Sequence, residues 1–171
     1  NSLVRKYLGI KSRSSDVALQ YTILGNDFKE LEIFFNSKLF STWYAWIFPH
    51  KNSVSIGCGC NPIILPTSKL SYNFKKWLAN NKIDVSKGKF EAFSLNCDYQ
   101  GYHFGNVFLA GDAAGLTSNL TGKGIYPALV SGEEIAKKIL DPDHKALKIE
   151  KLLRVQRIHN KIVKMLLACG R

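Results

Sequence analysis

The chain has 171 residues, 46% of them hydrophobic and 12% aromatic, which is enough apolar mass for a packed core and too much for a disordered chain. Lys and Arg number 24 against 13 Asp and Glu, and the formal charge of +11 points to an anionic partner, whether phosphate, nucleic acid or lipid headgroups. The four cysteines, Cys58, Cys60, Cys97 and Cys169, match no zinc or iron-sulfur spacing, so no metal site is expected and a reduced, cytoplasmic chain is the simpler reading. No apolar run approaches the ~20 residues of a membrane span, and no signal peptide is visible. A start at Asn1 and a single methionine, Met165, read as a piece of a longer protein.

In chain order, "NSLVRKYLGI" leads through the polar junction "KSRSSD" into strand signals. "VALQYTIL" puts Val17, Leu19, Tyr21 and Ile23 on one face, and "LEIFFN" does the same for Leu31, Ile33 and Phe35, with "GNDFKE" as a hairpin connection. "TWYAWIFP" and "SVSIGCGC" follow across the turn "HKN", which predicts an antiparallel meander with one face packed and the other wet or used for binding. Leu70, Phe74, Trp77 and Leu78 recur at helical spacing over 68–80, behind a Ser68 able to cap the first turn. "KFEAFSLNC" reads as a further strand. "NVFLA" is apolar without alternation, as in a strand buried on both faces of a parallel sheet. Beyond Thr121, the residues Ile125, Leu129, Gly132, Ala136 and Ile139 line one helix face, and Glu133 and Glu134 stand four residues before Lys137 and Lys138. A last helix is expected over about 146–168, apolar at Leu152, Val155, Ile158, Ile162 and Leu166. These elements divide into a leading segment 1–16, a sheet region 17–104, a strand, loop and helix over 105–140, and a basic helix over 141–171.

The chemistry concentrates in "VFLAGDAAGLTSNLTGKGIYPAL". A nucleotide P-loop is excluded, because six residues separate Gly115 from Gly122 where four are needed and Lys123 is followed by Gly124 rather than Ser or Thr. The dinucleotide fingerprint is missing too. Unpaired N–H groups at a helix start near 122–125 still favour an anion or a polar cofactor, and glycines let it approach closely. On these residues alone Asp112 either caps the loop or accepts hydrogen bonds from ligand hydroxyls.

That stretch, a Gly-Asp after a strand and before a helix, resembles the second flavin-binding motif of FAD-dependent oxidoreductases of the p-hydroxybenzoate hydroxylase type. The resemblance implies an α+β fold, in which a mostly antiparallel substrate-domain sheet is followed by a strand and helices that complete an FAD-binding domain. It gives Asp112 the ribityl chain of FAD, and gives Gly122, Lys123, Gly124 and Ile125 the helix start beside the pyrophosphate and the ring. Gly111 and Gly115 complete the loop, and Ser2 and Arg5 match the tail of another motif of the superfamily, so Arg5 joins the cofactor residues. Asn119 departs from the usual Pro, and Lys123 from the usual acidic or small residue. That lysine either meets the flavin or a phosphate, or points to solvent. The GxGxxG half would precede Asn1, so these residues alone are expected to bind FAD weakly or not at all.

"YAWIFPHKNSVSIGCG" puts Tyr44, Trp46 and Phe48 on one strand face and Ser53, Ser55, Gly57 and Gly59 on a face of the next. On residues alone, the aromatics are either core accommodated by glycines or the wall of a ligand space. The pattern, Pro49 included, is similar to that of the geranylgeranyl reductase branch, where this segment lines the cavity for a prenyl chain. The resemblance implies an FAD-dependent reductase acting on an isoprenoid double bond, with the fragment alone inactive. No catalytic residue is assigned, and His50, His103, His144 and His159 are read as surface or structural. The alternatives are a flavin monooxygenase or halogenase on aromatic substrates, and a non-catalytic lipid-binding or interaction module. Lys148, Lys151, Arg154, Arg157, Lys161 and Lys164 form a positive stripe on the last helix, read either as a solvated face or as a peripheral contact with an anionic membrane. No reader motif accompanies the charge, so nucleic-acid binding is not expected.

Overall fold

Val17, Leu19, Tyr21 and Ile23 do share a face, and that period of two builds β1 (Ser15–Leu24) into a five-stranded sheet. The structure is a computed structural model describing residues 2–13, 15–25 and 27–169. It divides into two units, Asp16–Ser94 and a second made of Asn1–Ser15 with Leu95–Arg171.

The first unit is the sheet with one long helix. Its strands are β1, β2 (Glu32–Phe35), β3 (Tyr44–Pro49), β4 (Ser53–Cys60) and β5 (Lys89–Asn96), in the order β2-β3-β4-β1-β5. The meander is therefore β2-β3-β4, and "GNDFKE" is no hairpin, because β1 pairs with β4 over eight residues, from Val17 opposite Cys60 to Leu24 opposite Ser53. The face of β2 also differs from expectation. Phe34 packs edge-on against Trp77 at 5.1 Å, while Ile33 and Phe35 lie on the other face opposite Trp46 and Tyr44. Consecutive apolar residues gave β2 two candidate inner faces, and pairing with β3 selected the one continuous with Ala45 and Ile47.

The helix α3 (Thr67–Asn80) covers that inner face with Leu70, Phe74, Trp77 and Leu78, all buried. No side chain caps it; Pro66 stands at its N-cap, and Ser68 lies inside the first turn. Before β3, Asn36 caps a short α2 (Ser37–Phe40) that buries Phe40 completely. Asn73 then donates from Nδ2 to the Leu39 carbonyl at 2.7 Å, tying α3 to α2. Cys58 and Cys60 also point inward and are fully buried. Burial pushes both thiols up, Cys60 to about 12 with help from the charge of Asp16, so neither is a thiolate at neutral pH.

The second unit begins with α1 (Leu3–Tyr7), whose Ser2 hydroxyl accepts the Arg5 N–H at 3.3 Å. After β5 come β6 (His103–Phe104) and β7 (Val107–Phe108), a two-stranded antiparallel ribbon, then α4 (Gly111–Ala114), α5 (Ile125–Leu140) and α6 (Leu147–Cys169). "NVFLA" is thus not a strand in a parallel sheet here. Val107 and Phe108 are half-buried, and the His103 and Phe108 rings stack at 4.2 Å across the ribbon. The inward faces of both long helices also differ from the apolar stripes read above. Ile125, Leu129 and Ile139 are 81%, 70% and 59% exposed, and α5 instead buries Pro127, Ser131, Glu134 and Ile135. The helix α6 buries Ile149, Gln156 and Val163 and leaves Val155, Ile158, Ile162 and Leu166 outside. Polar anchors decide both orientations: Glu134 accepts the Lys148 N–H at 3.2 Å, and Ser131 and Gln156 hold the loop described below. On the surface, hydrogen bonds from Lys137 and Lys148 hold the Glu133 carboxyl down at about 2 and link α5 to α6.

In the sheet unit, the inverse fit of Trp46 and Gly57 leaves no room for a side chain at that point of β4. A Cβ on Gly57 would fall inside the Trp46 indole and 2.7 Å from the Leu19 carbonyl oxygen. Gly57→Ala is expected to lower stability by about 1–3 kcal/mol, read as a lower urea midpoint with an unchanged slope; an unchanged midpoint would contradict this packing.

Candidate functional site

The Gly-Asp loop is built from backbone that only glycine tolerates. Gly111, Gly115 and Gly122 have φ of 51°, 79° and 65°, in the left-handed region. At Gly111 an added Cβ would lie 2.7 Å from the Ala128 Cβ, so the first turn of α4 sits directly on α5. The Gly111 N–H donates to the Ser131 hydroxyl at 3.0 Å, and that hydroxyl donates in turn to the Pro127 carbonyl at 2.7 Å. Gly115 ends α4 as its left-handed C-cap and lies flat against another backbone, where a Cβ would fall on the Asp98 carbonyl oxygen.

Buried side-chain donors then pin the loop. Gln156 of α6 offers its amide to three carbonyls, those of Gly115 at 2.8 Å, Thr117 at 3.2 Å and Cys97 at 3.3 Å. Asn96 donates to the Asp112 carbonyl at 3.0 Å. Arg5 is 3% exposed, donates from Nη1 to the Asp98 carbonyl at 3.3 Å and pairs with the Asp98 carboxylate at 3.7 Å. Arg5 therefore supports the segment against which Gly115 rests, rather than presenting its guanidinium at the surface.

The fully buried Thr117 donates its hydroxyl to Oδ1 of Asp112, whose carboxylate is exposed. Gly124 belongs to the same cluster, since a Cβ there would come within 3.2 Å of Asp112 Oδ1 and 3.4 Å of Thr117 Oγ1. Gly124 is also the N-cap of α5, with no side-chain cap on that helix. The loop thus presents one exposed carboxylate, held from behind, beside the positive end of a 16-residue helix. Ser118 closes the turn: its hydroxyl accepts the N–H groups of Leu120 and Thr121 and meets His159 Nδ1 at 2.8 Å. Lys123 lies over the Tyr126 ring at 5.5 Å, and Ile125 projects outward. Asn119, at the position where the resembling family has Pro, lines a cleft of about 570 Å³ with Cys97, Tyr99, Arg157 and Lys164.

These residues fit a polyhydroxylated, anionic cofactor such as FAD. A carboxylate steadied through one oxygen retains lone pairs for ligand hydroxyls, and an uncapped helix start suits a phosphate or a polar ring edge. Of the expected cofactor residues, Gly111, Asp112, Gly115, Gly122, Lys123, Gly124 and Ile125 all lie in this loop and helix start, and Arg5 stands behind it. Thr117, Ser131, Asn96 and Gln156 were not expected. For Ser131 and Gln156 the one signal in sequence is a polar residue at a helix position that turns out to face inward, whereas Thr117 in the loop and Asn96 at the end of β5 carry none.

The aromatic residues belong to the other unit and are described within it. Tyr44, Trp46 and Phe48 line the sheet face turned away from α3, with successive ring centroids 6.0 and 5.9 Å apart. Trp46 lies over Gly57 and Trp43 over Gly59, so the glycines are filled by indoles of the same sheet. Pro49 alternates onto the opposite face, paired with Val54. Burial pushes the Tyr44 phenol up, which keeps its proton in place at neutral pH.

Removing the Gln156 amide would strand three buried acceptors. Gln156→Leu is expected to cost about 1–3 kcal/mol and to speed hydrogen exchange across 111–118 more than across 67–80; equal effects on both segments would contradict the bracing role.

No family model matches the chain. A geranylgeranyl diphosphate reductase of Rhodobacter capsulatus is 23% identical over 116 residues, covering 68% of this chain and 30% of that protein. The crystal structure of a geranylgeranyl bacteriochlorophyll reductase-like protein from Thermoplasma acidophilum superposes with a TM-score of 0.71 at 22% identity, covering 94% of this chain and 47% of that one. The chain thus spans less than half the length of either protein, and over nearly all of its own length it has the fold of a geranylgeranyl reductase-like protein.

Proposed function

We propose that these residues form part of an FAD-dependent reductase that saturates a double bond in an isoprenoid lipid. The observation that carries the reading is the Asp112 carboxylate, fixed by Thr117 at the glycine-lined start of α5. Support comes also from the similarity to a geranylgeranyl diphosphate reductase and from the shared fold.

In this reading Asp112 accepts hydroxyls of the ribityl chain, and the first turn of α5 faces the pyrophosphate or the pyrimidine edge of the ring. Gly124 keeps side-chain bulk away from the Asp112 carboxylate, and Lys123 adds a positive charge at the same end. Bound FAD would supply hydride or electron transfer to the alkene. The aromatic face of the sheet, Tyr44, Trp46 and Phe48, offers an apolar wall for the prenyl chain, which needs exclusion of water and fixed orientation more than a protein nucleophile.

The full-length protein is expected to purify with the absorption bands of oxidised flavin and, once reduced anaerobically, to be reoxidised by geranylgeranyl lipids. Asp112→Ala should weaken FAD binding about tenfold to a hundredfold, the loss of hydrogen bonds to a charged acceptor. A colourless full-length protein that binds lipid would refute the reading in favour of a lipid-binding module, and NADPH-driven hydroxylation without lipid reduction would refute it in favour of a monooxygenase.

A further inference from the structure

Two helices of the second unit leave apolar stripes uncovered, and charge separates them. On α5 the exposed stripe of Ile125, Leu129 and Ile139 is interrupted by the small residues Gly132 and Ala136, a surface suited to close packing against protein. On α6 the uncovered stripe is larger and borders cations. At 100° per residue, Ile149, Gln156 and Val163 form the inward line, and Lys164, Arg157, Lys161 and Arg154 follow it in that order around one side of the helix, with Glu150 among them at the first turn. Past those cations come Met165 and Ile158, then Ile162 and Val155, then Leu166, which are 66%, 56%, 37%, 48% and 49% exposed in that order, with Lys151 set between Ile158 and Ile162 and Lys148 level with Leu166 toward the start of the helix. The helix carries six cations against the single acid Glu150. Among the described residues no helix is long and apolar enough to cross a membrane.

A helix with one face held by its own unit, a basic flank and an apolar outer face matches a surface that lies in the headgroup region of an anionic bilayer. We propose that α6 seats this unit on an anionic lipid surface, with Val155, Ile158, Ile162, Met165 and Leu166 entering the acyl boundary and Arg154, Arg157, Lys161 and Lys164 contacting headgroups. The proposal does not depend on the flavin reading, because its test needs no cofactor.

The test is flotation of the full-length protein with phosphatidylcholine vesicles, with and without about a quarter phosphatidylglycerol. The protein is expected to float with the anionic vesicles only. Both I158S/M165S and R154Q/K161Q should cut the partition coefficient about tenfold or more, and raising salt from ~0.1 M to ~0.5 M should weaken wild-type binding. The melting temperature and gel-filtration volume of both variants should match wild type, since these side chains lie outside the core. Failure to float with anionic vesicles, or undiminished flotation of both variants, would overturn the proposal. So would a lowered melting temperature or altered elution volume in both variants, which would mean that the face packs against protein.

Discussion

The backbone of Gly115 lies so close to that of Asp98 that no side chain fits between them, and the candidate cofactor loop depends on this approach. A left-handed residue there turns the chain out of α4 and presents the Gly115 and Thr117 carbonyls to the Gln156 amide. Thr117 then stands where its hydroxyl reaches Asp112. Arg5 holds the other wall through the Asp98 carbonyl and carboxylate. A buried amide serving three carbonyls leaves little freedom, because any displacement strands acceptors that water does not reach. The exposed carboxylate at the tip is consequently a rigid feature of the fold.

The sheet unit shows the same economy with apolar groups. Indoles of Trp43 and Trp46 occupy the space above Gly59 and Gly57 and are themselves buried.

Element types were legible in the sequence wherever one period dominated. Alternation marked β1, β3 and β4, and helical spacing marked α3, α5 and α6 to within a residue or two at most ends. Strand order was not legible, because the pairing of β1 with β4 rests on contacts distant in sequence, and the loop before β2 carries ordinary turn residues. Inward faces failed at Phe34, Ser131 and Gln156 for a shared reason: each segment has apolar residues on more than one side, and single tertiary contacts choose among them. Within the site, Asp112 and the glycines stood out through the motif they compose. Thr117 and Gln156 did not, since a hydroxyl or amide in a loop or helix ordinarily reads as solvated.

The central claim is that backbone contact at Gly115 keeps Asp112 in place to hold a flavin. The direct measurement is the FAD dissociation constant of the full-length protein carrying Gly115→Ala, set beside Gly132→Ala, where an added Cβ meets nothing within 4 Å. The account predicts affinity weakened about tenfold or more for Gly115→Ala and unchanged for Gly132→Ala. Wild-type affinity in Gly115→Ala would contradict it.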